Sequence, residues 1–277
     1  MINLNDRDKL LIKKYIVDHD ISYYCVNRFN LSEGSYYVKY CTPDEGFREM
    51  LGKRIFDLVG IKCPDYKYYK ELYCVISEDL NSCGEFIYMS NFPFIVDDTT
   101  YRRISFEILV DAICKYFTNK DEVYFQIVVM HFIDILFSNV DRHLNNYGVY
   151  SDGKIGSLAV FDNGLLLDNF DCITKPPTCV TEKMLFTKMI ECDYFIKKLP
   201  SEYKLKLYEL YLKFTPSFVK KLIEELEKES GIEFKTKKST LLKYYKNYLF
   251  TGIVLNKYTS MFDRKEVVQM TKKNYVG

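Results

Sequence analysis

The stretch SNVDRHLNNYGVYSDGKIGSLAVFDNG, residues 138–164, contains two polar clusters inside an apolar context. The clusters are DRHLNN (141–146) and FDNG (161–164), and the residues between them are typical of two short strands around a turn. Such a hairpin would bring together a carboxylate, a carboxamide five residues later and a second carboxylate 21 residues later. Phosphoryl transfer needs this set, because one carboxylate orients the attacking hydroxyl while the carboxamide and the other carboxylate hold Mg²⁺ against nucleotide phosphates.

The chain before this stretch divides into a small β-rich part and the beginning of a helical part. Apolar spacing and turn residues predict an α+β, bilobal fold, with an N-lobe at residues 1–80, a helical C-lobe at residues 81–277, and a cleft between them. Strands are predicted at 21–29, 35–41, 66–70, 72–78 and 157–162, and residues 81–100 are interpreted as a loop. Helices are predicted at 4–18, 44–59, 102–117, 121–137, 182–198, 201–213, 216–229 and 238–250.

Composition excludes several other classes of protein. The 39 basic and 38 acidic residues give a formal net charge of +1, which argues against nucleic acid as the main partner. The longest apolar stretch, residues 124–140, is interrupted by polar side chains, so it predicts a buried helix and no membrane span. The nine cysteines include no CxxC pair, and the N-terminus is too charged for a signal peptide. We therefore expect reduced thiols and a cytoplasmic protein, or one secreted into a host as an effector.

The two polar clusters carry a resemblance to known kinases. DRHLNN resembles the D-R-H-x-x-N catalytic loop of phosphatidylinositol 3-kinase-like enzymes, and FDNG stands where protein kinases have D-F-G or a variant. The chain resembles the bacterial HipA-like serine/threonine kinases more fully, in particular their single-domain, CtkA-type members. These share an N-x-D-x-H-x-x-N stretch, matched by residues 139–146, and an N-lobe helix that ends in a segment like LVGIKCPD, residues 58–65.

The resemblance implies a role for each matching residue. Asp141 would be the catalytic base, and Asn146 and Asp162 would be Mg²⁺ ligands. Lys39 would contact the α- and β-phosphates of ATP, and Glu49, on the following helix, would pair with it. We expect the adenine-facing segment at Val75, Ile76, Ser77 and Glu78, whose backbone groups would meet the edge of the base.

Some of these assignments have rivals in the sequence. Lys53 and Lys62 are alternative nucleotide lysines, and Glu45 is an alternative partner for Lys39. Arg142 either neutralises phosphate charge or pairs with a nearby carboxylate, and His143 is expected to hold the loop backbone rather than to act chemically.

The segment NLSEGS, residues 30–35, is predicted to cover the nucleotide phosphates. It has one glycine where a conventional Gly-rich loop has three, so the backbone around Gly34 and Ser35 would have to cup a phosphate. Serines in the corresponding loop of some HipA-like kinases become phosphorylated, which makes Ser32 and Ser35 candidates for autophosphorylation.

The resemblance implies an ATP-dependent phosphotransferase with ATP and Mg²⁺ as cofactors. The acceptor would be a protein hydroxyl, and an antitoxin or another regulator could be a second partner. Three alternatives remain open at this point. They are a lipid or small-molecule kinase on the same fold, a nucleotide-binding pseudokinase that serves as an interaction module, and an enzyme that transfers AMP.

Overall fold

The computed structural model describes residues 2–19, 26–83, 85–92, 113–139, 141–167 and 196–259. The helices in this part are α1 (Asp6–Asp18), α2 (Pro43–Leu58), α3 (Lys120–Leu136), α4 (Ser201–Lys213), α5 (Pro216–Ser230) and α6 (Lys237–Thr259). The strands are β1 (Val26–Leu31), β2 (Gly34–Tyr40), β3 (Tyr66–Tyr69), β4 (Cys74–Glu78), β5 (Glu85–Tyr88), β6 (Tyr147–Asp152) and β7 (Ile155–Val160). The predicted helices at 102–117 and 182–198 lie mostly outside the described residues.

The first sheet is four-stranded and antiparallel, in the order β1-β2-β4-β3. Lys39 of β2 lies opposite Val26 of β1 and Val75 of β4, so the middle of the sheet carries the predicted nucleotide lysine. The face that bears Val38 and Ile76 packs against α1 in a separate apolar cluster. Because side chains alternate between the two faces of a strand, the neighbouring Lys39 lies on the opposite face.

A second, three-stranded antiparallel sheet has the order β5-β6-β7. The hairpin β6–β7 confirms the prediction of two short strands between the polar clusters. The prediction of a loop across residues 81–100 is wrong at β5, which pairs with β6 from Glu85↔Ser151 to Tyr88↔Gly148. The four-residue strand is stabilised by its pairing with a distant segment. A local sequence pattern cannot predict such a pairing.

Helix α2 connects the first sheet to the rest of the molecule. It begins at the N-cap Thr42, whose hydroxyl accepts a hydrogen bond from the Glu45 backbone N–H, and Pro43 occupies the first turn, where its missing N–H costs nothing. Phe47, Leu51, Ile55 and Phe56 are all fully buried in the main core, with side chains of α3 and of the C-terminal helices. Helix α2 therefore cannot move far without disturbing this core.

The segment between α2 and β3 pairs with β7 of the second sheet. Lys62 forms a parallel bridge with Ala159, and its carbonyl accepts a hydrogen bond from the Val160 N–H at 2.9 Å. The fold is thus α+β, with a β-rich part before residue 80 and a mainly helical part after it. The lobe boundary at residue 80 stays a prediction. None of the described helices is long and apolar enough to cross a membrane.

Candidate active site

A cavity of about 260 Å³ lies between the two sheets. Its lining comes from the first sheet, from α2, and from the two polar clusters of the 138–164 stretch. The residues are Val26, Tyr37, Lys39, Glu49, Pro64, Tyr66, Val75, Ser77, Glu78, Leu80, Tyr88, Asn145, Asn146, Phe161 and Asp162. Lys53 and Lys62, the rival nucleotide lysines, are not among them.

Lys39 is the centre of a cluster of charges in this cavity. Its Nζ lies 3.0 Å from Glu49 Oε1, 3.0 Å from Glu45 Oε1 and 2.7 Å from Asp162 Oδ1. Both rival glutamates therefore contact the lysine, since they lie one helical turn apart on the same face of α2. Asp162 comes from the other side of the cavity, so the cluster joins the two sheets.

The charges of this cluster do not balance. Burial opposes the charged form of Lys39, but Glu49, Asp162 and Glu45 outweigh it, so the pKa of the lysine is raised and it stays protonated. Burial opposes the ionised form of Asp162 as well, yet the charge of Lys39 lowers the pKa of that carboxyl. Burial raises the pKa of Glu49 to about 7, against the opposing effect of Lys39. One ammonium group cannot neutralise three carboxylates, and the most buried of them retains its proton most readily.

Asn146 and Asp162 meet because the β6–β7 hairpin begins and ends beside them. Asn146 lies directly before the hairpin and Phe161 lies directly after it. The Phe161 N–H donates a hydrogen bond to the Asn146 carbonyl at 3.1 Å. Asp162 has a φ of +54°, in the left-handed region that Asp tolerates better than most residues. Its backbone N–H donates to the hydroxyl of the partly buried Tyr66 at 3.2 Å, which fixes the backbone at this position.

Asp141 lies in the loop just before Asn146. Its carbonyl accepts hydrogen bonds from the Asn146 side-chain amide at 2.8 Å and from the His143 N–H at 2.9 Å. Its own N–H donates to Asn139 Oδ1 at 3.3 Å. His143 Nδ1 in turn accepts from the Asn145 N–H at 3.2 Å, as a residue that holds the loop would. Asp141 is thus fixed beside the cavity, although it is not one of the lining residues.

The oxygen atoms of Asn146 and Asp162 suit a magnesium ion. The Asn146 amide nitrogen is engaged with the Asp141 carbonyl, which identifies the other end of the amide as the oxygen. Mg²⁺ is commonly bound by one or two protein oxygens and completed by phosphate oxygens and water. In the part of the chain that the structure describes, no group of three or more His, Cys, Asp or Glu side chains could hold a metal ion by itself.

The predicted adenine-facing segment divides between two faces of β4. Val75, Ser77 and Glu78 line the cavity. Ile76 does not, because its side chain is fully buried on the other face of the sheet, against α1. The prediction for this segment concerns its backbone groups, so it does not depend on the direction of the Ile76 side chain and stays a prediction.

The predicted phosphate-covering segment is the turn between β1 and β2, and its residues Gly34 and Ser35 do not line the cavity. The turn between β1 and β2 pairs Leu31 with Gly34, and Gly34 is five residues from Lys39, or about 17 Å along the strand. Neither Gly34 nor Ser35 lines the cavity, and the Ser35 carbonyl accepts from the Asp79 N–H at 3.2 Å, after the end of β4. The strand register places Gly34 and Ser35 at the end of β2 away from Lys39, and phosphate binding by the backbone around them stays a prediction.

The two candidate autophosphorylation sites are both hydrogen-bonded. The Ser32 hydroxyl donates to Asp8 of α1 at 2.5 Å and accepts from the Asn5 side chain at 2.9 Å. The Ser35 hydroxyl donates to Asn30 at 2.7 Å. Modification of either serine stays a prediction.

Sequence reasoning missed the residues that support the polar clusters. Asp134 of α3 is fully buried and pairs with Arg142, and Asn163 accepts from Arg142 and donates its backbone N–H to Glu49 at 2.6 Å. An aspartate within the apolar C-terminal half of the helix was the available signal, since a buried charge needs a partner. The sequence could not identify that partner among 39 basic residues.

Comparisons with solved structures identify the fold of this chain. No family model matches the chain, and no curated protein sequence matches it. The chain is similar to CtkA, a proinflammatory kinase of Helicobacter pylori, with 15% identity and a TM-score of 0.52, over 82% of this chain and 88% of CtkA. It is also similar to HipA of Shewanella oneidensis MR-1, from a toxin–antitoxin system and solved with HipB and operator DNA. That likeness has 11% identity and a TM-score of 0.56, over 87% of this chain and 65% of HipA. The chain therefore has the fold of the HipA-like kinases.

Proposed function

We propose that this chain is an ATP-dependent serine/threonine protein kinase that transfers the γ-phosphate of ATP to a protein hydroxyl. One observation carries the proposal: Lys39, from the first sheet, lines the same cavity as Asn146 and Asp162, from the loops that flank the β6–β7 hairpin. Lysine, carboxamide and carboxylate are the groups that hold nucleotide phosphates and their magnesium ion in kinases.

Lys39 would bind the α- and β-phosphates. Glu45 and Glu49 hold its ammonium group at 3.0 Å each, and its raised pKa keeps it charged. The phosphates would add negative charge to a cluster in which three carboxylates already surround Lys39, and the magnesium ion bound with the nucleotide would offset that charge. Val75, Ser77 and Glu78 form the wall on which the adenine would lie.

Asn146 and Asp162 would hold Mg²⁺, which supplies neutralisation of the phosphate charge during transfer. Asp162 reaches this role when its carboxylate exchanges the contact with Lys39, 2.7 Å in the structure, for the metal. Asp141 would orient the acceptor hydroxyl and accept its proton, and the backbone contacts of its loop fix it for that task. The chain would thus contribute positioning and charge neutralisation, with no covalent intermediate.

The fold shared with the kinase CtkA supports a kinase, and the choice of a protein acceptor is supported by the HipA-like pattern of the catalytic stretch. The proposal includes a regulatory partner protein, because HipA in the Shewanella complex is accompanied by HipB. A partner of this kind would be found by co-purification with the tagged chain from its own cells.

Incubation with ATP labelled at the α- or the γ-phosphate tests the proposal. We expect γ-label alone to appear on protein, and mass spectrometry to find it on serine or threonine. The Asp141→Asn variant should lose transfer by at least about 100-fold, since it removes the group that accepts the proton. It should keep the thermal stabilisation that nucleotide gives.

Other outcomes would contradict parts of the proposal. Transfer of α-label would indicate AMP transfer, and γ-label only on lipid or small molecules would indicate a different acceptor. Nucleotide binding without transfer under any condition would indicate a pseudokinase. Near-normal transfer by Asp141→Asn would refute the assignment of that residue.

A further inference from the structure

Arg142 lies between the two loops that carry the proposed magnesium ligands. Its side chain is 0% exposed and does not line the cavity. Burial alone would lower its pKa, but Asp134 outweighs this effect and keeps the guanidinium charged. A charge that is buried behind the cavity and paired with Asp134 is not available to neutralise phosphate. The second alternative from the sequence, pairing with a carboxylate, is therefore the one observed.

The guanidinium group binds both loops at once. Nη1 donates to the Asn146 carbonyl at 3.0 Å and to the Phe161 carbonyl at 2.8 Å. Nη2 donates to Asn163 Oδ1 at 2.7 Å. These acceptors are one proposed ligand, Asn146, and the residues on either side of the other ligand, Asp162.

The remaining side of the guanidinium is anchored to a rigid element. Nε lies 3.1 Å from Asp134 Oδ2, and Asp134 belongs to the buried helix α3. Asp134 also accepts from the Asn139 side chain at 3.0 Å, and Asn139 accepts from the Asp141 N–H. One buried ion pair thus connects α3 to the catalytic loop, residues 141–146, and to the loop of residues 161–164, here called the metal loop.

We propose that Arg142 is a positioning residue that sets the separation of the two magnesium ligands, Asn146 and Asp162. The inference rests on the proposed function and deepens it. Arginine is required because its planar fork donates in several fixed directions, whereas a lysine ammonium is a compact charge on a flexible stem. Lysine at this position would keep the pair with Asp134 and lose the simultaneous contacts to both loops.

The test compares the wild-type chain with Arg142→Lys by thermal melting. Each protein is saturated with a non-hydrolysable ATP analogue, and free Mg²⁺ is then raised in steps. The stabilisation by the analogue without Mg²⁺ should be equal in the two proteins, because Arg142 does not touch the nucleotide cavity. The Mg²⁺ concentration that gives half of the metal-dependent rise should increase about tenfold in the variant, the size expected for a residue that orients metal ligands.

A matched control is Arg54→Lys. Arg54 lies on the surface of α2, outside the cavity, and pairs with Glu229 of α5. This variant makes the same chemical change and should leave the Mg²⁺ dependence unchanged.

The outcomes separate the inference from the proposed function. A folded Arg142→Lys protein with wild-type Mg²⁺ dependence would overturn the inference alone. A wild-type chain that ignores both nucleotide and Mg²⁺ would contradict the proposed function and the inference together. If Arg142→Lys does not fold, Asn163→Ala decides by the same measurement, because it removes one acceptor on the metal-loop side and leaves no buried charge unpaired. We expect a higher Mg²⁺ requirement there too, and an unchanged one would overturn the inference.

Discussion

Lys39 shows how one residue can define the chemistry of a site. Three carboxylates lie within 3.0 Å of its ammonium group, so the buried cluster carries an excess of negative charge. The cluster reduces this excess by retaining a proton on Glu49, whose pKa burial raises to about 7. With its pKa raised to about 7 by burial, Glu49 changes its protonation state close to neutral pH.

This charge state predicts how stability depends on pH. A carboxyl whose pKa is raised on folding binds more protons in the folded than in the unfolded chain, so its contribution to stability falls as pH rises from its ordinary pKa of 4.5 to about 7. Between about pH 4.5 and pH 7.5, wild type should lose about 1–3 kcal/mol of unfolding free energy relative to Glu49→Gln. Urea unfolding of both proteins at several pH values measures the difference.

A change of unfolding free energy with pH in the opposite direction would contradict a raised pKa for Glu49. If wild type gained stability relative to Glu49→Gln over that range, Glu49 would be ionised throughout, with a pKa lowered by Lys39. Glu225→Gln, an exposed change on α5, is the control. Its unfolding free energy should depend on pH in the same way as that of wild type.

At the level of elements, α2 is fastened to the metal loop. Glu49 accepts from the Asn163 N–H at 2.6 Å, and Arg48 Nη1 lies 3.5 Å from the Gly164 carbonyl. Gly52 faces the same loop, and a Cβ built there would lie 2.5 Å from the Asn163 Cβ. Absence of a side chain at this helical position is what lets the helix and the loop pack so closely.

Gly52→Ala should therefore destabilise the protein, although alanine has a higher helix propensity than glycine. Alanine favours a helix interior by about 1 kcal/mol over glycine, but forcing the metal loop away should cost about 1–3 kcal/mol. We expect a net loss of stability in urea unfolding, together with a higher Mg²⁺ requirement in the melting assay. Asp57→Ala, on the exposed side of the same helix, should not change that requirement. A Gly52→Ala protein that is more stable and responds normally to Mg²⁺ would show that the loop yields without cost.

At the level of the whole molecule, the cavity depends on both sheets. The first sheet contributes Lys39 and Val75, and the loops that flank the β6–β7 hairpin contribute Asn146 and Asp162. A nucleotide bound in the cavity would contact the first sheet and these loops. A ligand that binds only the folded state stabilises it by mass action, by about 2.7 kcal/mol at 100 times its dissociation constant. Unfolding of the complete molecule should therefore report nucleotide binding.

Lys39→Met should lose most of this stabilisation, because the phosphates would meet three carboxylates and no lysine. The measurement is the rise in melting temperature caused by the ATP analogue with Mg²⁺, taken as an increment over each protein alone. Lys53→Met is the matched control, since Lys53 pairs with Asp57 and Asp65 outside the cavity. Equal increments in wild type and Lys39→Met would remove Lys39 from the nucleotide site.

The sequence by itself determined the parts of this protein that depend on local patterns. Apolar periodicity and capping residues predicted α2, and turn residues between apolar runs predicted the β6–β7 hairpin. The hairpin brings Asn146 and Asp162 together, because its two ends are adjacent whatever the rest of the chain does. The likeness to HipA-like kinases followed from the residues at those two ends.

Only the tertiary structure decided what depends on pairing between distant residues. Strand register carried Gly34 and Ser35 to the end of β2 away from Lys39, and distant pairing made a strand of β5. The partner of Arg142 emerged only when α3 packed against the loops. The physical reason is that hydrogen-bond register and buried ion pairs are selected by the packing of the whole core, whereas helix caps and tight turns are satisfied within a few residues.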